Sequence, residues 1–440
     1  MTAALIDELR WRGLVHQITD EAIARSALDD GAAVYIGFDP TADSLHVGSL
    51  LQLVLLMHAQ RHGNLPIAVL GGGTGMIGDP SGKSKERNLL GEADLQRNSD
   101  GLRRQFERFL NFEGETAARM INNLDWLGPQ PLITFLRDVG KHFSVNAMVQ
   151  RDSVRTRIEG REAGISFTEF SYMLLQAFDF LVLWRDHGCR GQMGGSDQWG
   201  NIVSGIDLIR REISRSTEAG DDSAAAKGGA FGITSPLITK RDGSKFGKTE
   251  EGNVWLDAEK TSPFRFYQFW INADDADVGD YLRYFTFLSR TAIDGILGEH
   301  AQSPHRRVAQ RRLANEVTAM VHGDDGLALA QRATEVLFGG DLEGLSAAML
   351  EEIFDSVPSS VLPAMDDGGW PVRSFLVGDG RPFASNGEAK KALRAGAVRV
   401  NNKRLAPDFG ALVTPDSLID GRLAVVRHGR KRTFLVRADK

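Results

Sequence analysis

The chain has 440 residues, 42% of them hydrophobic and 25% charged, with a net charge of −6. At about 150 residues per domain this predicts two or three domains with enough apolar material for packed cores. The single cysteine, Cys189, excludes a disulfide framework or a cysteine-based zinc site and fits a reducing cytoplasm. No apolar run nears the roughly 20 residues that cross a bilayer, and MTAALIDELRWRGL lacks the pattern of a secretory leader, so no membrane partner is expected.

Residues 1–33 read as helical, with Leu5, Leu9, Leu14 and Val15 near one face. AAVYIGF reads as a buried strand, followed by the turn DPTADS and the apolar helix LHVGSLLQLVLLMHAQRHG, which Asp43 or Ser44 can cap near Leu45. NLPIAVLGGGTG reads as a strand entering a glycine-rich loop, and a helix follows around residues 102–112. Strands alternating with helices predict an α/β fold with a mainly parallel sheet, whose ligands collect in the loops after the strands' carboxyl ends.

Several polar groups fall at those loops. His46 and Ser49 are three apart and share a face of the helix's first turns, where free N–H groups favour anions. Gly48 would let a flat ring approach the backbone. A lone His in a helix's first turn is usually a capping or surface residue. GGGTGMIGDPSGKS lacks the P-loop spacing, because position 77 is Ile77 where a glycine is required. It offers Lys83 and Arg87 to phosphates and Asp79 to an ammonium. In TEFSYMLLQAFDFLVLW, Tyr172, Gln176 and Asp179 lie at i, i+4 and i+7 on one face. Buried polar groups on an apolar stripe demand partners, from the protein or from a ligand. QMGGSDQWGN adds Asp197 and Gln198, suited to ribose hydroxyls or an amine.

Residues 214–229, SRSTEAGDDSAAAKGG, are small, polar and aperiodic, and read as a surface insertion. In PLITKRDGSKFGKTEEGNVWL, Asp242-Gly243 is a hairpin signal. Lys245, Lys248 and Thr249 on a glycine-containing loop suit stabilisation of a departing pyrophosphate, a solvated lysine loop being the alternative. Residues 260–355 are mostly helical in pattern, and PSSVLPAMDDGGWP reads as a connector. The last 70 residues carry 15 Lys and Arg against 6 Asp and Glu, whereas the rest carries 37 against 52. An acidic body thus precedes a basic segment that suits a polyanion.

Together these pieces resemble the class I aminoacyl-tRNA synthetases, and within them the bacterial tyrosyl-tRNA synthetase family. LHVGS resembles the HIGH signature and KFGKT the KMSKS loop. YIGFDPTADSLHVGSL, GDPSGKS, EFSYMLLQAFDF and GGSDQWGN match the tyrosine branch in order, and SNGEAKKALRAGAVRVNNKRL is similar to a ribosomal-protein-type RNA-binding domain. The resemblance implies a Rossmann-like parallel-sheet catalytic domain over residues 1–240 and a mobile loop over 241–255. A helical domain over 256–355, a linker over 356–370 and a small α+β RNA-binding domain over 371–440 would follow. It implies that L-tyrosine and ATP give tyrosyl-adenylate and pyrophosphate, and that the tyrosyl group then passes to tRNA(Tyr), with Mg²⁺ carried on the phosphates and no protein-bound metal.

The resemblance also assigns roles. Tyr35 and Asp179 would hydrogen-bond the phenol, and Asp79, Tyr172 and Gln176 would hold the α-ammonium, with Gln198 near the carboxylate. Gly37, Asp39, His46, Gly48, Ser49, Gly195, Asp197 and Lys248 would bind ATP. Thr41 and His46 would meet the γ-phosphate in the transition state, while Lys83, Arg87, Lys245, Lys248 and Thr249 would grip pyrophosphate. Arg210, Arg211, Lys390, Lys391 and Arg394 would contact tRNA, bridged across a homodimer. Ser49 departs from the second histidine of HIGH, and Gly247 from the loop's usual serine. The rival readings are a nucleotidylyltransferase, a non-catalytic RNA-binding protein and a tryptophan-specific synthetase.

Overall fold

The computed structural model describes residues 4–81, 91–159, 164–239, 246–249, 252–337, 339–363, 365, 368–429 and 432–438. The chain forms two compact units, Met1–Ser262 with Gln268–Val321, and Pro263–Tyr267 with His322–Lys440. Among the described residues no helix is long and apolar enough to cross a membrane.

The first unit is built on a six-stranded sheet of β1 (Gln17–Ile18), β2 (Ala33–Phe38), β3 (Leu65–Leu70), β4 (Arg119–Asn122), β5 (Cys189–Gly195) and β6 (Phe231–Ser235), in the order β1-β6-β5-β2-β3-β4. All neighbours are parallel except β1 with β6. This is the expected α/β architecture, with one local difference. The N-terminal stretch is not helical throughout: Leu5–Arg12 and Glu21–Asp29 are helices, but Gln17–Ile18 pairs with Ile233 and Thr234 at the sheet edge. Two residues are too few for periodicity to reveal a strand; only the neighbouring strand creates it.

From β2 the chain moves through β3 to β4 on one side, then returns to place β5 and β6 on the other. The order therefore reverses between β2 and β5, where a crevice opens at the strands' carboxyl ends. The helix Val47–Arg61 joins β2 to β3 and is buried at Leu50, Leu51, Leu53, Val54, Leu55 and Leu56, which accounts for its apolar character all round. The helix Phe167–His187 starts where Ser166 accepts from the Glu169 amide and stops at Gly188, whose φ of 65° suits glycine. Its Phe178, Phe180 and Trp184 pack with Tyr35, Ile67 and Val69 of the sheet.

Residues 214–229 are not the loose insertion expected from composition. The helix Trp199–Glu218 runs into them, Ser223–Ala226 forms another helical turn, and Ala224 is buried. Trp184 Nε1 donates to Gly228 O at 3.0 Å and Lys227 Nζ to Arg185 O at 2.6 Å. Small residues supply no apolar period, so tertiary contacts set this segment's structure.

The second unit carries a five-stranded sheet in the order Lys403–Arg404, Val398–Val400, Leu423–His428, Arg432–Arg437, Ser359–Val361. Ser359–Val361, within the stretch read as a connector, pairs in parallel with Arg432–Arg437. Asn401 and Asn402 both have positive φ, 46° and 64°, which makes the tight hairpin turn between the two flanking strands. Both sheet faces are buried: Ala424 and Val426 pack with Trp370, Phe375 and Leu393, while Leu423 and Val425 pack with Ala333, Val336 and Leu350. The helix Asn386–Arg394 buries Ala389, Ala392 and Leu393 and leaves Lys390, Lys391 and Arg394 exposed.

Candidate active site

The crevice between β2 and β5 is a cleft of about 600 Å³, within the range of small-molecule sites. β2 and the turn after it contribute Tyr35, Gly37, Asp39 and Thr41; the helix entry contributes His46, Gly48 and Ser49. The glycine-rich loop after β3 brings Asp79, the helix Phe167–His187 brings Tyr172, Gln176 and Asp179, and the end of β5 brings Gly195, Asp197 and Gln198. Four separated stretches of sequence thus converge on one cavity. Ile77 ends a single 3₁₀ turn, Thr74–Met76, rather than opening a phosphate-cradling helix.

At the deep end, Tyr35 is 2% exposed and its hydroxyl meets no hydrogen-bond partner among the described residues. Burial pushes its pKa well above the ordinary value, with the nearby Asp179 charge adding to the effect. Both Asp179 oxygens are engaged: Trp126 Nε1 donates to Oδ1 at 2.7 Å and Asn123 Nδ2 to Oδ2 at 2.9 Å. Burial nevertheless raises the Asp179 carboxyl to about 8, against the pull of those two donors. Asn123 also donates to Thr74 Oγ1 at 2.9 Å, and Thr74 Oγ1 in turn donates to Asp39 Oδ1 at 2.8 Å. Tyr35 and Asp179 therefore stand as a pair of polar groups lining the apolar floor without bonding each other.

In the middle of the cleft the hydrogen bonds continue and fix the lone pairs. Tyr172 donates its hydroxyl proton to Asp39 Oδ2 at 2.9 Å, which leaves its oxygen able to accept from a cation. Gln198 Nε2 donates to Asp79 Oδ2 at 2.7 Å, while its own oxygen accepts from Gln176 Nε2 at 3.1 Å. Asn201 Nδ2 donates to Gln176 Oε1 at 2.9 Å. Asp39, Asp79 and Asp197 line this part of the cleft, without a Lys or Arg among the described lining residues. Asp197 has its carboxyl raised by burial first and by Asp79 second. This portion is built to receive a positively charged group.

The upper wall is formed by the helix Val47–Arg61. Its N-cap is His46, whose Nδ1 accepts from the Gly48 amide at 3.0 Å, rather than Asp43 or Ser44. Ser44 is instead buried against Gln105, and Asp43 pairs with Lys260 Nζ at 2.7 Å. A Cβ on Gly48 would stand 2.7 Å from the His46 ring, so the glycine permits the cap as well as leaving the cleft open. Trp255 bridges to His46 through the backbone, and Asn253 and Trp255 join the lining.

Some expected groups lie elsewhere. Lys83, Arg87 and Lys245 are outside the described residues. Lys248–Thr249 forms a short strand paired with Gly252–Asn253, with their side chains outside the described set. Arg210 and Arg211 are exposed on the helix Trp199–Glu218, away from the cleft. Asn123, Trp126, Thr74 and Asn201 were not anticipated. Asn122-Asn123 at the end of a strand is their one sequence signal, since Asn there invites a loop contact; Trp126 and Asn201 had none.

Two family models match the chain: tRNA synthetases class I (W and Y) over residues 29–339, and the tyrosine–tRNA ligase SYY-like C-terminal domain over residues 349–436. The chain is 49% identical over 435 residues to the tyrosine–tRNA ligase of Geobacillus kaustophilus, covering 98% of this chain and 99% of that one. It is likewise 49% identical over 441 residues to that of Roseiflexus castenholzii, with 98% and 99% covered. Among solved structures, a C-terminally truncated mitochondrial tyrosyl-tRNA synthetase of Aspergillus nidulans superposes with a TM-score of 0.68 at 31% identity, covering 76% of this chain and 94% of that one. With full-length relatives, two family models in sequence and a shared fold in agreement, the chain belongs to the tyrosyl-tRNA synthetase family of class I aminoacyl-tRNA synthetases.

Proposed function

We propose that the chain is a tyrosine–tRNA ligase, which activates L-tyrosine with ATP to tyrosyl-adenylate and pyrophosphate and then charges the 3′ end of tRNA(Tyr). The observation that carries the substrate choice is the buried, unpartnered Tyr35 hydroxyl beside Asp179 on the cleft floor. A phenol is the amino-acid side chain that fills an apolar slot and meets both groups with its hydroxyl. The acid-lined middle receives the α-ammonium at Asp79, Tyr172 and Gln176, with Gln198 near the carboxylate.

No general base is required. The amino-acid carboxylate is already ionised and attacks the α-phosphorus in line, so the protein acts by positioning and charge stabilisation. Gly37, Asp39, Gly48, Ser49, Gly195 and Asp197 hold the nucleotide. Thr41 and His46 meet the γ-phosphate, and Lys83, Arg87, Lys245, Lys248 and Thr249 take up the charge that develops on pyrophosphate. Among the described residues no three His, Cys, Asp or Glu groups gather as metal ligands. Mg²⁺ is proposed to travel on the phosphates, and no step above runs through it.

The functional division proposed is catalysis by residues 1–240 with the loop 241–255, tRNA support by 256–355, a linker over 356–370, and RNA binding by 371–440. Lys390, Lys391 and Arg394, with Arg210 and Arg211 on the first unit, contact the tRNA. A homodimer is supported by apolar side chains left in solvent on the first unit: Leu132, Ile133, Leu136 and Val145, with Ile133 75% exposed. A cytoplasmic setting fits the buried free thiol of Cys189. Pyrophosphate exchange driven by each amino acid in turn tests the reading. Exchange with tyrosine alone is expected; exchange with tryptophan, or with none, would overturn it.

A further inference from the structure

Phe246 is the one large apolar residue between the two lysines of KFGKT, and it is 8% exposed. Its ring lies 5.5 Å from that of Phe285, nearly parallel at 13°, and 5.2 Å from Tyr281, 5.9 Å from Trp270 and 5.6 Å from Phe269. These four rings belong to the helices Pro263–Ile271 and Val278–Phe285, so a segment of two short helices makes an aromatic socket for a loop residue.

The next residue is held from the opposite side. Gly247 has a φ of 79°, and a Cβ there would lie 2.7 Å from Val47 Cγ2 and 3.3 Å from the Gly48 amide nitrogen. The Val254 amide donates to Gly247 O at 3.1 Å, and the Val47 amide donates to Val254 O at 2.9 Å. The loop backbone is thus pressed onto the helix entry that carries His46, while Phe246 plugs it into the socket. Offset and edge-on aromatic contacts of this kind contribute beyond area alone and resist sliding.

We infer that Phe246 is a positioning residue for adenylate formation: its burial in the Phe269–Trp270–Tyr281–Phe285 socket sets where the lysine-bearing strand Lys248–Thr249 stands relative to the His46 helix entry. The inference rests on the ligase reading above. Phe246 touches no substrate; it acts through the backbone it anchors. Misplacing a catalytic group by about 1 Å can cost on the order of 10²-fold in rate, so the loss belongs to the chemical step rather than to tyrosine binding.

The test measures single-turnover tyrosyl-adenylate formation and equilibrium tyrosine affinity for the full-length wild type, Phe246→Ala and Phe246→Leu, with thermal unfolding of each. The expected result is a tyrosine dissociation constant within about twofold of wild type in both variants. The adenylate rate should fall roughly 10- to 100-fold in Phe246→Ala and by a smaller factor in Phe246→Leu, whose branched side chain refills part of the socket. If Phe246→Ala does not fold, Phe246→Leu decides: a slowed rate at unchanged tyrosine affinity supports the inference. Wild-type rates in the folded variants, or a loss seen in tyrosine affinity with the rate intact, would overturn it. A wild-type protein that forms no tyrosyl-adenylate fails the ligase reading instead, so the two failures are distinct.

Discussion

Replacing Tyr35 by Phe should raise the stability of the free protein while weakening its choice of tyrosine. The hydroxyl is buried and meets no partner among the described residues. Leaving a polar group buried and unsatisfied costs about 1–3 kcal/mol, so removing it should stabilise the ligand-free chain by up to that amount. At the size of the first unit each kcal/mol corresponds to a melting shift of roughly 1.5 °C. When tyrosine binds, the hydroxyl acquires a partner in the phenol, and the variant forgoes a net hydrogen bond of about 0.5–1.5 kcal/mol, or roughly 2- to 13-fold in selectivity over phenylalanine. Because the phenol end lies remote from the reacting carboxylate, the loss should appear as a raised KM for tyrosine with kcat nearly unchanged. Thermal unfolding without ligand and pyrophosphate exchange with both amino acids measure the two effects independently. A variant that is less stable than wild type and retains the wild-type selectivity ratio would refute the reasoning.

Asp179 should make stability pH-dependent. Its carboxyl titrates near 8 in the folded chain against 3.8 ordinarily, so between those values the folded state holds a proton that the unfolded state has released, and stability should fall as pH rises across that window. Denaturant titrations at several pH values should show a flatter profile in Asp179→Asn; an unchanged profile would assign the slope to other groups. His46→Ala and Lys248→Ala should slow adenylate formation while leaving tyrosine binding nearly intact, as read by single-turnover kinetics beside measured affinity; weaker tyrosine binding at a normal rate would remove both from the phosphate-handling group. Reversing the charges of Lys390, Lys391 and Arg394 should leave pyrophosphate exchange largely intact, cut tRNA charging severely and reduce its salt dependence. Full charging by that variant would make the exposed basic face a bystander. Deleting residues 368–440 is the poorer test, because it strips Leu423, Val425 and Leu435 from the core they share with Ala333, Val336 and Leu350.

Much of this molecule is legible along the chain because its signals are local. AVYIGF and LPIAVL are buried on both faces as parallel strands and read as continuous apolar runs. Tyr172, Gln176 and Asp179 are spaced to share one helix face, and all three line the cleft. What the chain order could not reveal is how those groups are satisfied. Asn123 and Trp126 reach Asp179 across 56 and 53 residues, and Gln198 reaches Asp79 across 119. Such partners are chosen by which strands become neighbours in the sheet, and no local propensity encodes that choice. The helix entry makes the same point: Asp43 and Ser44 are better intrinsic caps than histidine, yet each is drawn to Lys260 or Gln105, and His46 is left to close the helix over the cleft. Residue type and spacing picked out many of the side chains that line the cleft. The packing of distant segments decided which of their atoms remain free to meet a substrate, because a hydrogen bond made inside the protein removes that lone pair or proton from the site.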